Sequence, residues 1–356
     1  MMDNKNLRKI LIGIAGRWIL IFLALEIIFF SIFGTNYFSL RNLQNILLAS
    51  TTVALLATGE TFVIITGGID LSVGFMVGFS GVICAKVMVT LQAAGASQAV
   101  AISSGIIAAL LLGLLPGLVN GLLVAKLRVP PFIATFGMLG IAYGFAEIIC
   151  NNVPIMGLPT SVGSIGHGYL IYWLPGKVFA FLQKPENLTR LELQNLVSII
   201  PNVTVITAIV IGIFAFILAR TKFGQHTYAI GGSMDAAERA GINVKRHLIK
   251  VYMISSFFAS LAGVTYVLRF ITGRAPAGSA RLLDAVVAVV IGGASLYGGT
   301  GTILGTVIGV LIIGALEIGL VNLAIPTYNL YIAVGCILIF AVLVDQFFPG
   351  LTRKEE

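Results

Sequence analysis

Residues 59–74 read GETFVIITGGIDLSVG. An apolar run that ends at Ile65 is followed by the glycine pair Gly67-Gly68 and then by the acid Asp70. Glycine favours the end of a helix, because it lacks a Cβ and adopts the left-handed conformation without strain. The stretch therefore predicts a break in a helix, with the carboxylate of Asp70 beside backbone groups that the break exposes.

The composition places these helices in a membrane. Of the 356 residues, 58% are hydrophobic and 10% charged, and the mean hydropathy is +1.02. A soluble domain carries about 25% charged residues, so most of this surface must face membrane lipid. Segments such as 203–219 and 331–344 are apolar without the alternation of a membrane β-barrel. The sequence predicts an all-α polytopic membrane protein, in which the net charge of +8 reflects basic cytoplasmic loops rather than nucleic-acid binding.

Hydropathy predicts about ten transmembrane helices within a single domain, residues 1–356. A span needs about 20 apolar residues. The predicted spans are 14–33, 43–66, 69–90, 98–124, 132–150, 203–219, 251–270, 283–298, 302–323 and 328–348. The 283–298 segment is short and rich in glycine, so it could be re-entrant, and the count could be nine or eleven. The positions of Lys and Arg favour cytoplasmic N- and C-termini, and the first segment lacks the cleavage pattern of a signal peptide.

An internal repeat of the form G-G-x-x-L-x-x-G occurs at 67–74 and again at 292–299. Each copy follows an apolar run, and paired glycine-interrupted segments in a transporter indicate broken helices at the pathway. The predicted spans place both copies on the same side of the membrane, which does not fit a simple inverted repeat. A chance match in glycine-rich sequence is the alternative.

Two segments lie outside the spans. Residues 151–202 form a predicted periplasmic excursion with an aromatic run, 169–173, which fits either a belt at the headgroup level or a docking surface for an external partner. Residues 220–250 are the most charged stretch of the chain and are predicted to stand in the cytoplasm. Within them, Asp235 to Ala240 can form a short helix with Gly241 as its C-cap.

Buried acids indicate where a solute could pass. Glu60, Asp70, Asp284 and Glu317 lie within or beside apolar runs, and a charge at the bilayer centre costs about 2.5–3.5 kcal/mol. Such acids either brace broken backbone or contact the solute, and the sequence leaves both open. Asn120 lies in a small-residue stretch that suits close helix packing, with a pore lining as the alternative. The predicted pathway residues are Glu60, Gly67, Gly68, Asp70, Ser72, Asn120, Asp284, Gly292, Gly293 and Ser295.

The sequence predicts no catalytic site, metal or cofactor. The histidines His167, His226 and His247 are isolated along the chain, and Cys84, Cys150 and Cys336 are expected to be small buried hydrophobes. The phosphate-binding pattern G-x-x-x-x-G-K-[ST] does not occur. If transport is active, another chain must therefore supply the nucleotide chemistry.

Residues 235–241 read DAAERAG, which resembles the E-A-A-x-x-x-G element of ABC-importer permeases with Asp in place of Glu. A short cytoplasmic helix closed by glycine can seat in a groove on an ATPase subunit, and a solvated loop helix is the alternative. The predicted coupling residues are Gly231, Gly232, Asp235, Ala236, Ala237, Glu238, Arg239 and Gly241.

From Phe38 to Asp345 the chain resembles the permease subunits of ribose-type ABC sugar importers. Stretch 59–74 is the most specific piece. Shorter pieces support it, namely 120–121, 131–135, 223–224, 229–232, 283–285, 290–296 and 341–345. The resemblance implies a permease of the bacterial inner membrane that pairs with a second permease copy around one central pathway. Separate ATPase subunits would dock below this pathway, and a periplasmic sugar-binding protein would deliver solute from above.

The chain departs from the family pattern at Leu282, at Glu317-Ile318-Gly319 and at Asn329. These departures leave open which sugar passes and whether the second permease is identical. The alternative function is an ion-gradient-driven secondary transporter that would use Asp70 or Glu60 as a proton or cation site.

Overall fold

The computed structural model describes residues 18–186, 188–326 and 328–347. These residues form fourteen helices and three short strands. The helices are α1 (Trp18–Phe33), α2 (Leu40–Ile65), α3 (Val73–Ala93), α4 (Gln98–Ala125), α5 (Pro131–Cys150), α6 (Ser161–Gly166), α7 (Arg190–Asn195), α8 (Asn202–Arg220), α9 (Lys222–Gly232), α10 (Met234–Arg239), α11 (Val244–Phe270), α12 (Arg281–Ile291), α13 (Ile303–Asn322) and α14 (Tyr328–Phe347). The strands are β1 (Tyr169–Leu174), β2 (Val178–Phe181) and β3 (Val197–Pro201).

Among the described residues, seven helices are long and apolar enough to cross a bilayer, namely α2, α3, α4, α5, α8, α11 and α13. The polytopic helical architecture is confirmed, whereas the count of ten spans is not. Helix α12 has 11 residues and is therefore about 16 Å long, roughly half of the hydrocarbon thickness. The predicted 283–298 span is thus a half-helix. The start of the 14–33 span and the end of the 328–348 span lie outside the described residues.

A small sheet in the 151–202 excursion is the exception to the all-α prediction. Strand β1 lies between β2 and β3 and pairs antiparallel with both. Its sequence, YLIYWL, is rich in aromatic and β-branched residues, which favour strands. The aromatic run is therefore a central strand.

Helices α2 and α11 form the centre of the bundle. In each of these two helices, 78% of the residues in the most apolar 18-residue stretch are buried, whereas the corresponding fraction in α8 is 22%. Glycines let α4 approach α11 closely: a Cβ on Gly117 would lie 2.5 Å from the carbonyl oxygen of Tyr252, and one on Gly121 would lie 2.7 Å from Cα of Ile249. The close packing expected around Asn120 is therefore present.

Helix α2 breaks at the glycine pair, as the sequence predicts. Gly67 has a φ of +77°. Its N–H donates to the carbonyl of Ile64 at 2.9 Å, and the N–H of Gly68 donates to Val63 at 3.0 Å. This pair of bonds is the Schellman arrangement that closes a helix. The chain then runs without helix until Val73, which is why α3 begins four residues later than the predicted span.

Helix α12 ends in the same way. Gly293 has a φ of +88°, its N–H donates to Val290 at 2.9 Å, and the N–H of Ala294 donates to Val289 at 3.2 Å. By conformation, Gly293 is therefore equivalent to Gly67. The repeat in the sequence instead aligns Gly67 with Gly292. The two breaks are related, but the register of the predicted repeat is wrong by one residue.

Both breaks lie at the same end of the molecule. The N–H of Gly299 donates to the carbonyl of Ile65 at 2.9 Å. The expectation that both copies of the repeat lie on one side is confirmed by this contact.

Candidate translocation pathway and coupling surface

The loop between α2 and α3 folds back so that Asp70 is fully buried. Its carboxylate accepts hydrogen bonds from the hydroxyl of Ser255 on α11, at 2.8 Å, and from the hydroxyl and N–H of Ser72. The N–H of Asp70 donates to Oε1 of Glu60 at 2.9 Å. Two of the predicted acids thus lie in one cluster, where they satisfy backbone groups that the helix break exposes.

This cluster extends to α4 and α5. The side-chain amide of Asn120 donates to the hydroxyl of Ser72 at 3.1 Å, and the hydroxyl of Thr135 lies 3.3 Å from the carbonyl oxygen of Ile69, within donating distance. The broken segment is therefore tied by side chains to α2, α4, α5 and α11.

Several buried polar atoms of the cluster have no hydrogen-bond partner among the described residues. They are Oε2 of Glu60, Oδ1 of Asn120, the hydroxyl of Tyr252 and the hydroxyl of Ser256. A Cβ on Gly68 would lie 2.7 Å from the Tyr252 hydroxyl, so Tyr252 also borders the helix break. The cluster retains unused donors and acceptors, which a hydroxyl-rich solute or water can use.

The acid Asp284 lies in a second polar group, at the start of α12. Both terminal guanidinium nitrogens of Arg281 donate to the carboxylate of Glu317 at 2.8 Å. One of them, Nη1, also donates to the carboxylate of Asp284 at 3.2 Å. A two-bond Arg–carboxylate pair fixes geometry as well as charge. Arg281 also forms an ion pair with Asp284, three residues further along α12. The link to Glu317 on α13 was not predicted.

Ser295 lies at the opposite end of α12 from Asp284, in the loop before α13. Its N–H donates to the carbonyl of Thr300 at 3.3 Å, and its hydroxyl accepts from the N–H of Tyr297 at 3.3 Å. The ten predicted pathway residues thus fall into three groups: the Asp70 cluster, the Arg281 group, and the glycine-rich loops at the breaks. They do not converge on one site.

The glycine-rich loops meet helix α9. A Cβ on Gly231 would lie 1.8 Å from the carbonyl oxygen of Ile65 and 2.5 Å from the nitrogen of Gly299. The hydroxyl of Tyr228 donates to the carbonyl of Gly301 at 2.7 Å. We call this contact of α9 with the end of α2 and with the loop between α12 and α13 the junction.

Helix α10 follows α9 directly and matches the predicted short helix. The hydroxyl of Ser233 caps its start by accepting from the N–H of Ala236 at 3.2 Å. Gly241, with a φ of +84°, closes its end. Ala237, 4% exposed, packs in a cluster with Ile230 and residues of α4 and α11.

The remaining predicted coupling residues of α10 face outward. They are Asp235, Ala236, Glu238 and Arg239, all exposed. Gly232, at the end of α9, is also exposed, and a Cβ there would meet no atom within 4 Å. Helix α10 therefore presents a charged outer face from a small apolar base.

Two details of the sequence interpretation need correction. The rings of His226 and His247 lie 6.0 Å apart, so these two histidines are not isolated. Within the described residues, however, His, Cys, Asp and Glu form no group of three that could hold a metal. Cys84 and Cys150 are buried as expected, whereas Cys336 is exposed.

The chain is similar to known permeases over most of its length. Residues 42–342 match the family described as the permease component of branched-chain amino acid transport systems. The chain is 36% identical to the ribose import permease protein RbsC of Escherichia coli (strain K12), and the match covers 97% of this chain and 94% of that one. It is 33% identical to the xylose transport system permease protein XylH of Haemophilus influenzae, over 92% and 94% of the two chains. No solved structure matches.

A similar match is found with the galactose/methyl galactoside import permease protein MglC of Escherichia coli (strain K12), which is 31% identical over 93% of each chain. Permeases of such importers are transport subunits rather than enzymes, and they work with a separate ATPase and a solute-binding protein. Because the family match and the relatives cover most of its length, the chain belongs to the family of multi-pass membrane permeases of binding-protein-dependent ABC importers that includes the ribose import permeases.

Proposed function

We propose that this chain forms the membrane pathway for a monosaccharide, with α10 receiving the movement of the ATPase subunits. The observation that carries the coupling role is the outward charged face of α10 beside the junction. A displacement of α10 is passed to α9, with which it shares the capping residue Ser233. Through the junction it then reaches both broken helices.

The proposal fixes an orientation. Residues 220–250 and both termini lie in the cytoplasm, and the 151–202 excursion lies in the periplasm, where the sugar-binding protein approaches. A second permease copy, identical or related, completes the pathway. The half-helix α12 supports this view, because an apolar half-helix beginning at a charged group is the kind of element that lines transport pathways.

A pentose or hexose is the solute class favoured by the relatives, whose names specify ribose, xylose and galactose or methyl galactoside. The Asp70 cluster suits such a solute chemically, since its unpartnered atoms are acceptors and hydroxyls. The variants Asp70→Asn and Ser255→Ala distinguish contact with the sugar from bracing of the helix break.

The coupling role is tested by charge reversal on α10 in the assembled transporter. The double variant Glu238→Arg/Arg239→Glu is reconstituted in proteoliposomes with the ATPase subunit and the sugar-binding protein of the same importer. Uptake of labelled ribose, xylose and galactose is measured together with ATP hydrolysis. We expect uptake to fall to background, while hydrolysis persists without stimulation by the loaded binding protein.

The matched control reverses an exposed charge of the 220–250 segment that lies outside α10, Lys245→Glu. This variant should transport normally. Unchanged uptake in the α10 variant would refute the coupling role of this helix. A wild-type assembly that takes up none of the three sugars would refute the proposed solute class.

A further inference from the structure

One face of the three-stranded sheet carries mainly aromatic and aliphatic side chains. In an antiparallel sheet, residues directly opposite each other point to the same face. Trp173 of β1 lies opposite Phe179 of β2 and Val197 of β3, and Ile171 lies opposite Phe181 and Ile199. We call these six residues the aromatic face.

The aromatic face is the outer one. Trp173, Phe179 and Phe181 are 46%, 63% and 57% exposed, whereas Tyr172 and Leu174, which point to the other face, are buried. An antiparallel sheet with one face in water is normally polar on that face. The most exposed side chains of this face are instead aromatic, so the outer face is built for a surface other than water.

The position of the sheet identifies that surface. The side-chain amide of Gln44 donates to the carbonyl of Ser198 in β3. Gln44 precedes the end of α2 at Ile65 by 21 residues, which corresponds to about 32 Å of helix. The hydrocarbon core is about 30 Å thick. The sheet therefore lies at the level of the bilayer boundary, at the end of α2 opposite the junction.

The aromatic face is also continuous with a lipid-facing surface. Strand β3 ends at Pro201, and α8 begins at the next residue. Along α8, Ile209, Ile213 and Phe216 are more than half exposed, as expected for a membrane-spanning helix at the edge of the bundle. The chain thus passes directly from the sheet into a helix whose outer side is apolar from Ile206 onward.

Basic side chains border the sheet. Lys184 and Arg190 are exposed in the segment between β2 and β3. Lys177, in the β1–β2 turn, pairs with Glu192 of α7. Its ammonium group and the N–H of Thr189 lower the pKa of Glu192 to about 2, so this ion pair persists at neutral pH. Lys184 and Arg190, with the exposed Glu186 between them in sequence, leave a net positive charge beside the sheet, which anionic phosphates attract.

We propose that the aromatic face lies in the boundary between headgroups and acyl chains of the leaflet opposite α10, with anionic phospholipid at its basic rim. Tryptophan is enriched at this depth because its ring combines an apolar body with a polar N–H, and the two phenylalanines add apolar area. The sheet satisfies most of its own backbone groups by pairing, so it tolerates this position. It anchors the excursion flat on the membrane.

Tryptophan fluorescence tests the proposal in the full-length protein. The chain contains two tryptophans, Trp18 and Trp173, so the variant Trp18→Phe retains a single fluorophore on the aromatic face. It is reconstituted in vesicles of phosphatidylcholine and phosphatidylglycerol whose acyl chains carry bromine either near the glycerol or near the chain end. We expect strong quenching by the shallow bromines, weaker quenching by the deep ones, and emission shifted to the blue of tryptophan in water.

Two further variants make the result specific. Adding Trp173→Phe and Phe181→Trp moves the fluorophore to a second position of the same face and should give the same depth profile. Adding Trp173→Phe and Lys245→Trp places it at an exposed position at the opposite end and should give no quenching.

The alternatives give different readouts. Absence of quenching with water-like emission would overturn the proposal, because the face would then be solvated. Unquenched emission that shifts only on addition of the sugar-binding protein would overturn it in favour of protein docking. Unquenched emission that depends on permease concentration would overturn it in favour of contact with a second copy.

Discussion

The backbone N–H of Gly299 donates a hydrogen bond of 2.9 Å to the carbonyl oxygen of Ile65. This bond joins the loop after the half-helix α12 to the end of α2, and Gly231 of α9 lies against both of its atoms. Three segments that are far apart in sequence thus form one contact without intervening side chains. A contact between backbones transmits displacement stiffly, since no rotamer can absorb it.

The junction should not tolerate a methyl group. Gly231→Ala places a Cβ 1.8 Å from the carbonyl of Ile65, so the backbones must separate at a cost of about 1–3 kcal/mol. We expect uptake to fall and the melting temperature of the purified permease to drop. Gly212→Ala on α8 is the control, because a Cβ there meets nothing within 4 Å. Equal behaviour of the two variants would contradict a tight junction.

Tyr228 should affect coupling more than folding. Tyr228→Phe removes the hydrogen bond to Gly301, which costs about 0.5–1.5 kcal/mol and loosens α9 from the loop before α13. We expect the number of sugar molecules imported per ATP hydrolysed to fall, as measured in proteoliposomes. The exposed Tyr331 provides the control, Tyr331→Phe, which should keep the wild-type ratio. An unchanged ratio in Tyr228→Phe would exclude this bond from the transmission route.

The glycine that closes α10 can be tested against a glycine with the same backbone angle. Gly241 and Gly95 both have a φ of +84° and open space around them, so valine strains either one by about 1–3 kcal/mol. Gly95 lies between α3 and α4, at the end away from α10. We expect Gly241→Val to abolish stimulated ATP hydrolysis and uptake, and Gly95→Val to cause a comparable loss of stability with transport retained. The reverse pattern would count against α10.

The role of Asp70 can be separated into bracing and solute contact. Asp70→Asn replaces one of the two acceptor oxygens with an NH2 donor, which must face the donors of either Ser72 or Ser255. A bracing role therefore predicts destabilisation by about 1–3 kcal/mol. Ser255→Ala removes one donor and should have a smaller effect in the same direction. Thermal unfolding of the detergent-purified permease measures both. Wild-type stability with an altered preference among ribose, xylose and galactose would instead indicate solute contact.

The Arg281 group should show non-additive energetics. Arg281→Gln leaves the carboxylates of Asp284 and Glu317 without their shared cation, and loss of a charged hydrogen-bond partner in this partly buried group costs about 1–3 kcal/mol. The double variant Arg281→Gln/Glu317→Gln removes one uncompensated charge and should regain part of this stability. A double-mutant cycle on melting measures the interaction. Additive effects would show that the two side chains are not coupled.

The sequence predicted the long helices well, because about 20 apolar residues in a row leave few alternatives. Its errors arose where long-range contacts decide the boundary. Helix α11 begins at Val244 rather than at 251, since Val244 and Leu248 pack on Ala237 of α10 although charged residues surround them. Helix α12 ends at Ile291, but the apolar residues that follow continued the hydropathy signal.

The sequence predicted the existence of the helix breaks but not their contacts. Periodicity cannot indicate that the chain turns back after Gly68 and brings the N–H of Asp70 to Glu60. Ser255 gave no signal, because a serine in an apolar helix is common. The strands were missed for a similar reason: a run of five or six apolar residues is ambiguous until its pairing partners are known.

The hydrogen bond from Ser255 to Asp70 joins residues 185 positions apart. Chains are synthesised from the N-terminus, so α2 and α3 enter the bilayer well before the ribosome reaches α11. Until then, the nascent chain holds an acid at its first break without one of its donors. The Asp70 cluster of this permease can therefore be completed only after α11 has been inserted. Chains truncated before residue 255 should be degraded by quality-control proteases.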